Sequence, residues 1–184
     1  MNYHLGRVII TTCLFFGASA NAQESLKDLK GTKPFEMKGY KIGDTIPDQE
    51  TLKSLCSPYF ARKIIKTGSG VCLSVGTFAG IENIGLVYQF KDYRIYNVMS
   101  DFPLSDYTTI KNALREKYGA PAKEFESVAT NGFGAKFQQI RTVWGFSDGV
   151  LMISRISGKI DRSAFMFLNS EQLDALEQKP KVDF

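Results

Sequence analysis

Apolar residues recur at helical spacing in the middle of the chain. Four of them are separated by three, four and four positions and therefore share one side of a helix: Tyr107, Ile110, Leu114 and Tyr118. Ser105 is a natural N-cap, Gly119 stands where a left-handed C-cap belongs, and Pro121 prevents continuation. The pattern predicts a helix from Asp106 to about Tyr118.

Two shorter helices are predicted on either side of this one. The first follows Pro47, a residue that suits the first turn of a helix. The second follows Ser170 and has Glu171 in its first turn, where a negative charge is favourable. The apolar positions of these two helices are Leu52, Leu55 and Cys56 in the first, and Leu173 and Leu176 in the second.

Apolar and polar residues alternate between the helices in the manner of half-buried β-strands. A short strand is also expected near residues 35–42, and Asp148-Gly149 is typical of a β-hairpin turn. The alternating positions are Val71, Leu73, Val75, Ile84, Leu86, Tyr88, Phe90, Tyr96, Val98, Ile140, Thr142, Trp144, Phe146, Leu151, Ile153, Ala164, Met166 and Leu168. Helices among hairpin-linked strands predict an α+β domain, with an antiparallel sheet and helices packed on one face.

Two segments share a pattern of valine, an aromatic residue, phenylalanine and aspartate. Residues 86–92 and residues 142–148 both read x-Val-aromatic-x-Phe-x-Asp, and they lie 56 positions apart. Each is preceded by a predicted helix. The spacing indicates two tandem helix-hairpin repeats from an old duplication. Chance is the alternative, because hairpins often place aromatic residues beside a turn aspartate.

The start of the chain has the order of a secretory signal peptide. Arg7 is followed by a mostly apolar stretch at residues 8–18 and then by Ala20-Asn21-Ala22. This order predicts a signal peptide at residues 1–22 that is removed by cleavage. The apolar stretch is shorter than the roughly 20 residues of a membrane-spanning helix, and an uncleaved N-terminal anchor is the alternative.

The predicted mature protein divides into two parts. Residues 23–34 are rich in lysine and are interrupted by Gly31 and Pro34, so we expect a flexible lead-in. Residues 35–184 have the length and composition of a single α+β domain.

Removal of the leader restricts the chemistry that is available. His4 is the only histidine of the chain and lies within the leader. Without imidazole, Ser-His-Asp and Cys-His nucleophilic sites and His-containing zinc sites are excluded. A phosphate-loop motif is also missing from the sequence. We therefore predict a protein that is not an enzyme and that takes no cofactor and no metal.

The two cysteines that remain, Cys56 and Cys72, predict a disulfide. Paired cysteines in an exported protein are most simply bridged, and a loop of this size would stabilise the fold by about 3 kcal/mol. A redox-active pair is the competing interpretation, but a C-x-x-C spacing is missing. Together with the signal peptide, the disulfide predicts a periplasmic or secreted protein.

The segment between these cysteines is the candidate binding surface. It brings aromatic and basic residues together in a constrained loop, and such residues often dominate binding energy. The residues are Tyr59, Phe60, Arg62, Lys63 and Lys66. The alternative is a solvated loop whose apolar side chains pack inward, namely Tyr59, Phe60, Ile64 and Ile65.

Three structural motifs resemble those of known proteins. They are the Lys-Tyr-Gly-Ala-Pro helix end at residues 117–121, the Trp-Gly-Phe-Ser-Asp-Gly hairpin at residues 144–149 and the strand that ends in serine at residues 165–170. They are similar to motifs of small uncharacterised bacterial periplasmic proteins. The doubled helix-hairpin unit also resembles the β-lactamase-inhibitor-protein-like fold. This resemblance implies a protein-binding scaffold.

Three classes of function fit the sequence. The first is a non-catalytic protein-binding module of the bacterial envelope, of an inhibitor, immunity or accessory type, whose partner is another envelope or secreted protein. The second is a cell-wall glycan hydrolase built on two carboxylates, for which the candidates are Glu82, Asp92, Asp101 and Asp148. The third is a carrier of a lipid or another small apolar ligand, which requires an apolar cavity.

The net charge bears on the choice of partner. The 23 basic residues of the whole chain fall to 22 without Arg7, against 19 acidic residues, which leaves a mature net charge of +3. Nucleic acid is not an expected partner, because a basic stripe is missing from the sequence. The lysines of the lead-in predict a weak electrostatic contact with an anionic membrane or wall polymer: Lys27, Lys30, Lys33 and Lys38.

Overall fold

The helices and strands are taken from a computed structural model that describes residues 25–46, 48–56 and 58–177. The strands are β1 (Glu36–Met37), β2 (Tyr40–Lys41), β3 (Gly70–Phe78), β4 (Ile81–Lys91), β5 (Arg94–Pro103), β6 (Lys123–Thr130), β7 (Lys136–Phe146), β8 (Gly149–Ser154) and β9 (Arg162–Asn169). The helices are α1 (Gln49–Leu55), α2 (Pro58–Thr67), α3 (Tyr107–Tyr118) and α4 (Ser170–Glu177), with 3-10 turns at Leu26–Asp28 and Leu104–Asp106. The predicted signal peptide lies outside the described residues.

Seven of the strands form one antiparallel sheet, in the order β3-β4-β5-β9-β8-β7-β6, and β1 pairs with β2 in a separate hairpin. The edge strands of the sheet are therefore β3 and β6. The two-residue turns Ala79-Gly80 and Asp92-Tyr93 have positive φ at both positions, which matches the twist of the strands that they join. The antiparallel α+β architecture predicted from the sequence is confirmed.

One face of the sheet, the inner face, carries the larger hydrophobic core. The segment ahead of β1 inserts Phe35 into this core, where its ring stacks on Phe167 with centroids 4.4 Å apart. Helices α1, α2 and α3 cover the inner face with apolar side chains that belong to the same cluster. Those side chains are Leu52, Leu55, Ala61, Ile64, Tyr107, Ile110 and Leu114.

The opposite face, the outer face, carries a smaller core and is covered by α4. Leu173 of α4 is buried in one cluster with Val150 and Leu168 of the sheet. Helix α4 begins directly after β9 because a capping box reverses the chain there. Asn169 Oδ1 accepts from the Gln172 backbone N–H at 2.9 Å, and Gln172 Oε1 accepts from the Asn169 N–H at 3.1 Å.

The helices therefore divide between the two faces, three on the inner face and α4 on the outer face. The sequence led us to expect helices on one face only. Apolar spacing shows which side of a helix is buried, but it carries no information about which face of a sheet receives that side. The direction of the chain after β9 decides this for α4.

The middle helix is confirmed as α3, but its predicted N-cap is not used. Ser105 lies within the 3-10 turn ahead of α3, and its hydroxyl donates to Asp106 Oδ1 at 3.2 Å instead of capping the helix. The short strand expected near residues 35–42 is the β1-β2 hairpin. The sequence pattern predicted neither α2 nor β6.

Residues 25–34 differ from the flexible lead-in that we predicted, because they pack on the sheet. Leu26 and Leu29 contact the outer-face core. The backbone passes so close to β7 that a Cβ on Gly145 would lie 1.5 Å from the Leu29 carbonyl oxygen. The Ser147 N–H donates to the Lys33 carbonyl at 2.9 Å. A glycine in β7 therefore makes this crossing possible.

The two similar segments lie at corresponding places in the sheet. Residues 86–92 run through the end of β4 into its turn with β5, and residues 142–148 run through the end of β7 into its turn with β8. Tyr88 and Trp144 are both buried in the inner-face core. This placement is compatible with a tandem repeat, and the duplication itself stays a prediction.

Candidate functional site

The disulfide between Cys56 and Cys72 forms as predicted and positions the candidate surface. Cys56 ends α1, Cys72 lies on β3, and their Cα atoms are 5.1 Å apart. Both residues are buried in the inner-face core. Because all of α2 lies between them in sequence, the bridge and the direct connection from α2 to β3 hold this helix at the edge of the sheet.

The predicted binding residues lie on a helix and not in a loop. The exposed side of α2 is formed by residues at spacings of three, four and seven, namely Tyr59, Arg62, Lys63 and Lys66. We call these four residues the basic face of α2. Phe60 is only half-exposed, and it contacts Tyr59 with ring centroids 5.4 Å apart. The structure thus brings together four of the five predicted residues.

The helix under this surface was missed because its apolar side is short. Among the α2 residues whose burial the structure describes, only Ala61 and Ile64 are fully buried, and the segment ends at Gly68, which has a positive φ of 70°. Pro58 at the first helical position was the available signal. The alternative, in which Tyr59, Phe60, Ile64 and Ile65 pack inward, is correct for three of them. Ile64 is buried in the inner-face core, and Phe60 and Ile65 pack against it, whereas Tyr59 is 72% exposed.

Strand β3 exposes its apolar residues to solvent. Cys72 points into the inner-face core, so its neighbours Val71, Leu73 and Val75 point to the outer face. Their exposed fractions are 41%, 42% and 60%. The sequence analysis predicted the alternation of this strand but assigned no function to these residues.

An apolar row crosses the outer face from β3 to β7. In the strand pairing, Leu73 lies opposite Val87, Val87 opposite Met99, and Met99 opposite Met166. The row continues from Met166 to Met152 and then to Val143. We call these six residues the outer-face row. It is a product of strand register, because each residue comes from a different strand.

The outer-face row is covered over only one half. Val143 and Met152 are buried in the outer-face core under α4 and the 3-10 turn at Leu26–Asp28. Met166 is half-buried and packs against this core. In the other half of the row, Val87 and Met99 are half-buried and Leu73 is exposed. The exposed half therefore forms an apolar surface that reaches the β3 edge, where α2 packs on the other face of the same strand.

The carboxylates proposed for glycan hydrolysis lie apart. Asp92 and Asp148 occupy the β4-β5 and β7-β8 turns at the same end of the sheet, three strand spacings apart, or about 14 Å at roughly 4.8 Å per strand. Retaining and inverting enzymes need about 5 to 9.5 Å. Asp101 pairs with Arg162, and Glu82 is exposed at the start of β4.

Two carboxyls with shifted pKa values, Asp148 and Glu124, have structural roles. Burial raises the pKa of Asp148, although its Oδ1 accepts from the Phe35 N–H at 2.9 Å. Hydrogen bonds from Lys111 and Thr142 hold the pKa of Glu124 below its ordinary value. These contacts attach the segment ahead of β1 and helix α3 to the sheet.

Two surface concavities of the described residues include charged side chains in their lining, whereas a carrier of an apolar ligand needs a large apolar cavity. A surface groove of about 400 Å³ runs along the β6-β7 hairpin, and a smaller hollow of about 140 Å³ lies beside α4. The groove has Glu126 and Lys136 in its lining, and the hollow has Lys27 and Asp174. The buried phenylalanines instead fill the inner-face core, as with Phe35, Phe146 and Phe167.

The β6-β7 hairpin is a second exposed feature that the sequence did not reveal. At its tip, Asn131 Oδ1 accepts from the N–H groups of Phe133 and Ala135 at 3.0 and 2.9 Å. This closed turn holds Phe133 98% exposed. Asparagine and two glycines around a phenylalanine were the available signal.

Comparison with protein-family models, with curated proteins and with solved structures found no match for this chain. Among the described residues, no helix is both long enough and apolar enough to span a membrane. In the same part of the chain, no three His, Cys, Asp or Glu side chains come together as a metal site.

Proposed function

We propose that this protein is an exported, non-catalytic protein-binding module of the bacterial envelope. It contacts another envelope or secreted protein through the β3 side of its sheet. The observation that carries the proposal is the outer-face row, which crosses the sheet and is covered by the protein's own elements over only one half. Apolar surface that stays continuous up to an exposed edge is typical of interaction sites.

The composition of the exposed half supports a binding role. Met99 is half-buried, unbranched and adaptable, and methionine is common on surfaces that adjust to a partner. On the inner side of the same edge, the basic face of α2 adds one tyrosine and three cations. Tyrosine and arginine are enriched among the residues that contribute most to binding energy.

Export is supported by the disulfide and by the predicted leader. The bridge between Cys56 and Cys72 agrees with an oxidising compartment such as the periplasm or the extracellular space. The mature chain would have no histidine, and the carboxylate candidates have separate structural positions. These features favour contact over catalysis.

A pair of matched substitutions tests the proposal. Val75 on β3 is 60% exposed and Val128 on β6 is 64% exposed, so aspartate at either position should change stability little. Both variants and the wild type would carry a photo-crosslinking group and be mixed with a periplasmic extract. We expect V75D to lose a covalent adduct that V128D and the wild type retain, with equal melting temperatures for all three proteins.

Other patterns of adduct formation would place the binding site elsewhere or exclude the β3 side. Loss of the adduct in V128D alone would place binding on the β6-β7 hairpin, against the proposed surface. Equal adducts in all three proteins would remove the β3 side from consideration. Hydrolysis of purified wall glycan by the wild type, with loss of activity in D92N or D148N, would support the hydrolase alternative instead.

A further inference from the structure

The β3 edge of the sheet has neither of two features that commonly protect an edge strand, charged residues and proline, although its pairing with β4 is irregular between Gly76 and Phe78. Edge strands usually carry charged residues or proline, or are very short, because their unpaired backbone groups otherwise pair with other chains. The nine residues of β3, Gly70–Phe78, include no charged residue and no proline. The opposite edge strand β6 is different, since it carries Lys123, Glu124 and Glu126.

Cations lie at both ends of this edge, which itself carries no charged residue. A Cβ on Gly70 would lie 3.9 Å from Cδ of Lys63, and a Cβ on Gly76 would lie 3.6 Å from Nζ of Lys38. Both lysines are exposed. Arg62 and Lys66 extend the positive charge along the basic face of α2. Between the two ends, the surface of β3 is apolar or polar but uncharged.

This charge distribution decides between a second copy of the chain and a different partner. Antiparallel pairing of two β3 strands would bring Lys63 of one copy near Lys38 of the other, at both ends of the pair. Like charges placed against each other oppose association. An added strand with acidic residues at both ends would meet opposite charges in the same places.

The exposed side chains of β3 set a second requirement. Val71, Leu73 and Val75 stand on the outer face at every second position. A neighbouring strand extends this face with its own alternate side chains. Apolar residues at those positions would continue the outer-face row by one more strand.

We propose that the β3 edge receives an extended segment of a partner protein as an eighth strand of the sheet. The segment is apolar at alternate positions and acidic at both ends. This inference rests on the proposed function and specifies the chemistry of the partner. Strand addition takes its affinity from backbone hydrogen bonds and its specificity from alternate side chains. Here the specificity comes from apolar side chains at alternate positions and from acidic residues at both ends.

Displayed random peptides, long enough to span β3, are the probe that tests the chemistry. They would be selected on the immobilised mature protein with its disulfide intact. We expect enrichment of sequences with β-branched residues in alternation and with aspartate or glutamate near both ends. Failure to enrich any sequence, or enrichment of basic sequences, would overturn the proposal.

A charge exchange tests the role of the two lysines. The enriched acidic peptides would be compared with versions in which the end residues are lysine. We expect K38E and K63E each to bind the acidic peptide at least tenfold more weakly than the wild type does. The same variants should bind the peptide with lysine ends, which the wild type does not bind. Unchanged affinities would contradict the electrostatic part of the inference.

Proline substitutions test strand addition itself. Backbone N–H groups point alternately to either side of a strand. Of the two variants L73P and S74P, one therefore loses a backbone hydrogen bond to β4, and the other loses an N–H that points away from the sheet at the free edge. We expect the variant that keeps its melting temperature to lose peptide binding. Hydrogen exchange should show protection of outward amides of β3 when the wild type binds the peptide.

The outcome can separate this inference from the proposed function. If the stable proline variant binds the peptide as the wild type does, strand addition is wrong. A V75D variant that still loses its crosslinked partner would then leave the binding module in place. Should binding rise when residues 178–184 are deleted, the chain's own tail competes for the edge and a partner protein is not its main occupant.

Discussion

Removal of the Cys56–Cys72 disulfide should produce a large loss of stability, because the bridge restricts the unfolded chain. The cysteines are 16 positions apart, and the chain-entropy relation for a loop of this length gives about 3 kcal/mol at room temperature. Both residues are buried. Replacement by alanine therefore adds about 1 kcal/mol for each sulfur that is lost from the core.

The double variant C56A/C72A should thus be less stable by about 5 kcal/mol. For a domain of this size, each kcal/mol lowers the melting temperature by roughly 2–4 °C, so a fall of roughly 10–20 °C is expected. Urea unfolding followed by tryptophan fluorescence measures the change. The m value should rise as well, since the unfolded chain without the bridge exposes more surface.

The single variant C56A separates the two contributions. It lacks the bridge but keeps the Cys72 sulfur in the core. Its free energy of unfolding should therefore be about 1 kcal/mol higher than that of the double variant. A total loss of less than about 1 kcal/mol in C56A/C72A, with an unchanged m value, would refute this reasoning. It would mean that α2 and β3 constrain each other without the bridge.

Three further predictions address the packing of the termini and one turn. G145A should lower the free energy of unfolding by more than about 3 kcal/mol or detach residues 25–31 from the sheet, because its Cβ would lie 1.5 Å from the Leu29 carbonyl oxygen. Limited proteolysis detects the detachment. Equal digestion of the wild type and the variant would contradict this prediction. N169A should cost about 1–2 kcal/mol through loss of the α4 cap, whereas N169D should keep most of that stability in urea unfolding. Burial raises the pKa of Asp148 in the folded protein above 3.8. The protonated carboxyl therefore contributes to the stability of the fold at low pH, and this contribution is lost as the pH rises through the pKa of the folded state. D148N should therefore be more stable than the wild type at neutral pH, and thermal melts should show the difference vanishing below about pH 3.8.

The candidate surface was partly accessible from the sequence. Tyr59, Arg62, Lys63 and Lys66 were selected for their chemistry, and the structure places them on one side of a helix. Phe60 was included as well, although it is half-buried. The sequence analysis placed all five residues in a loop, because the helix has only a narrow apolar side and ends after ten residues.

The outer-face row was beyond the reach of sequence analysis. Val71, Leu73 and Val75 have the alternation of any half-buried strand, and a strand in the centre of a sheet would bury them. Their exposure depends on β3 being an edge strand, which is a property of strand order. The pairing of Leu73 with Val87, and of Met99 with Met166, depends on register between segments far apart in sequence.

The sequence by itself determined the features that depend on local pattern, on the order of elements along the chain or on the number of cysteines. These are the α3 helix with its apolar side, the turn at the β7-β8 hairpin, the α+β class and the pairing of the two cysteines of the predicted mature chain. Only the tertiary structure decided that α4 lies on the outer face, that residues 25–34 cross Gly145, and that β3 is left at an edge with its apolar side chains exposed. The physical reason is that hydrophobic periodicity reports which side of an element is buried, whereas strand order and register follow from long-range packing among all the elements.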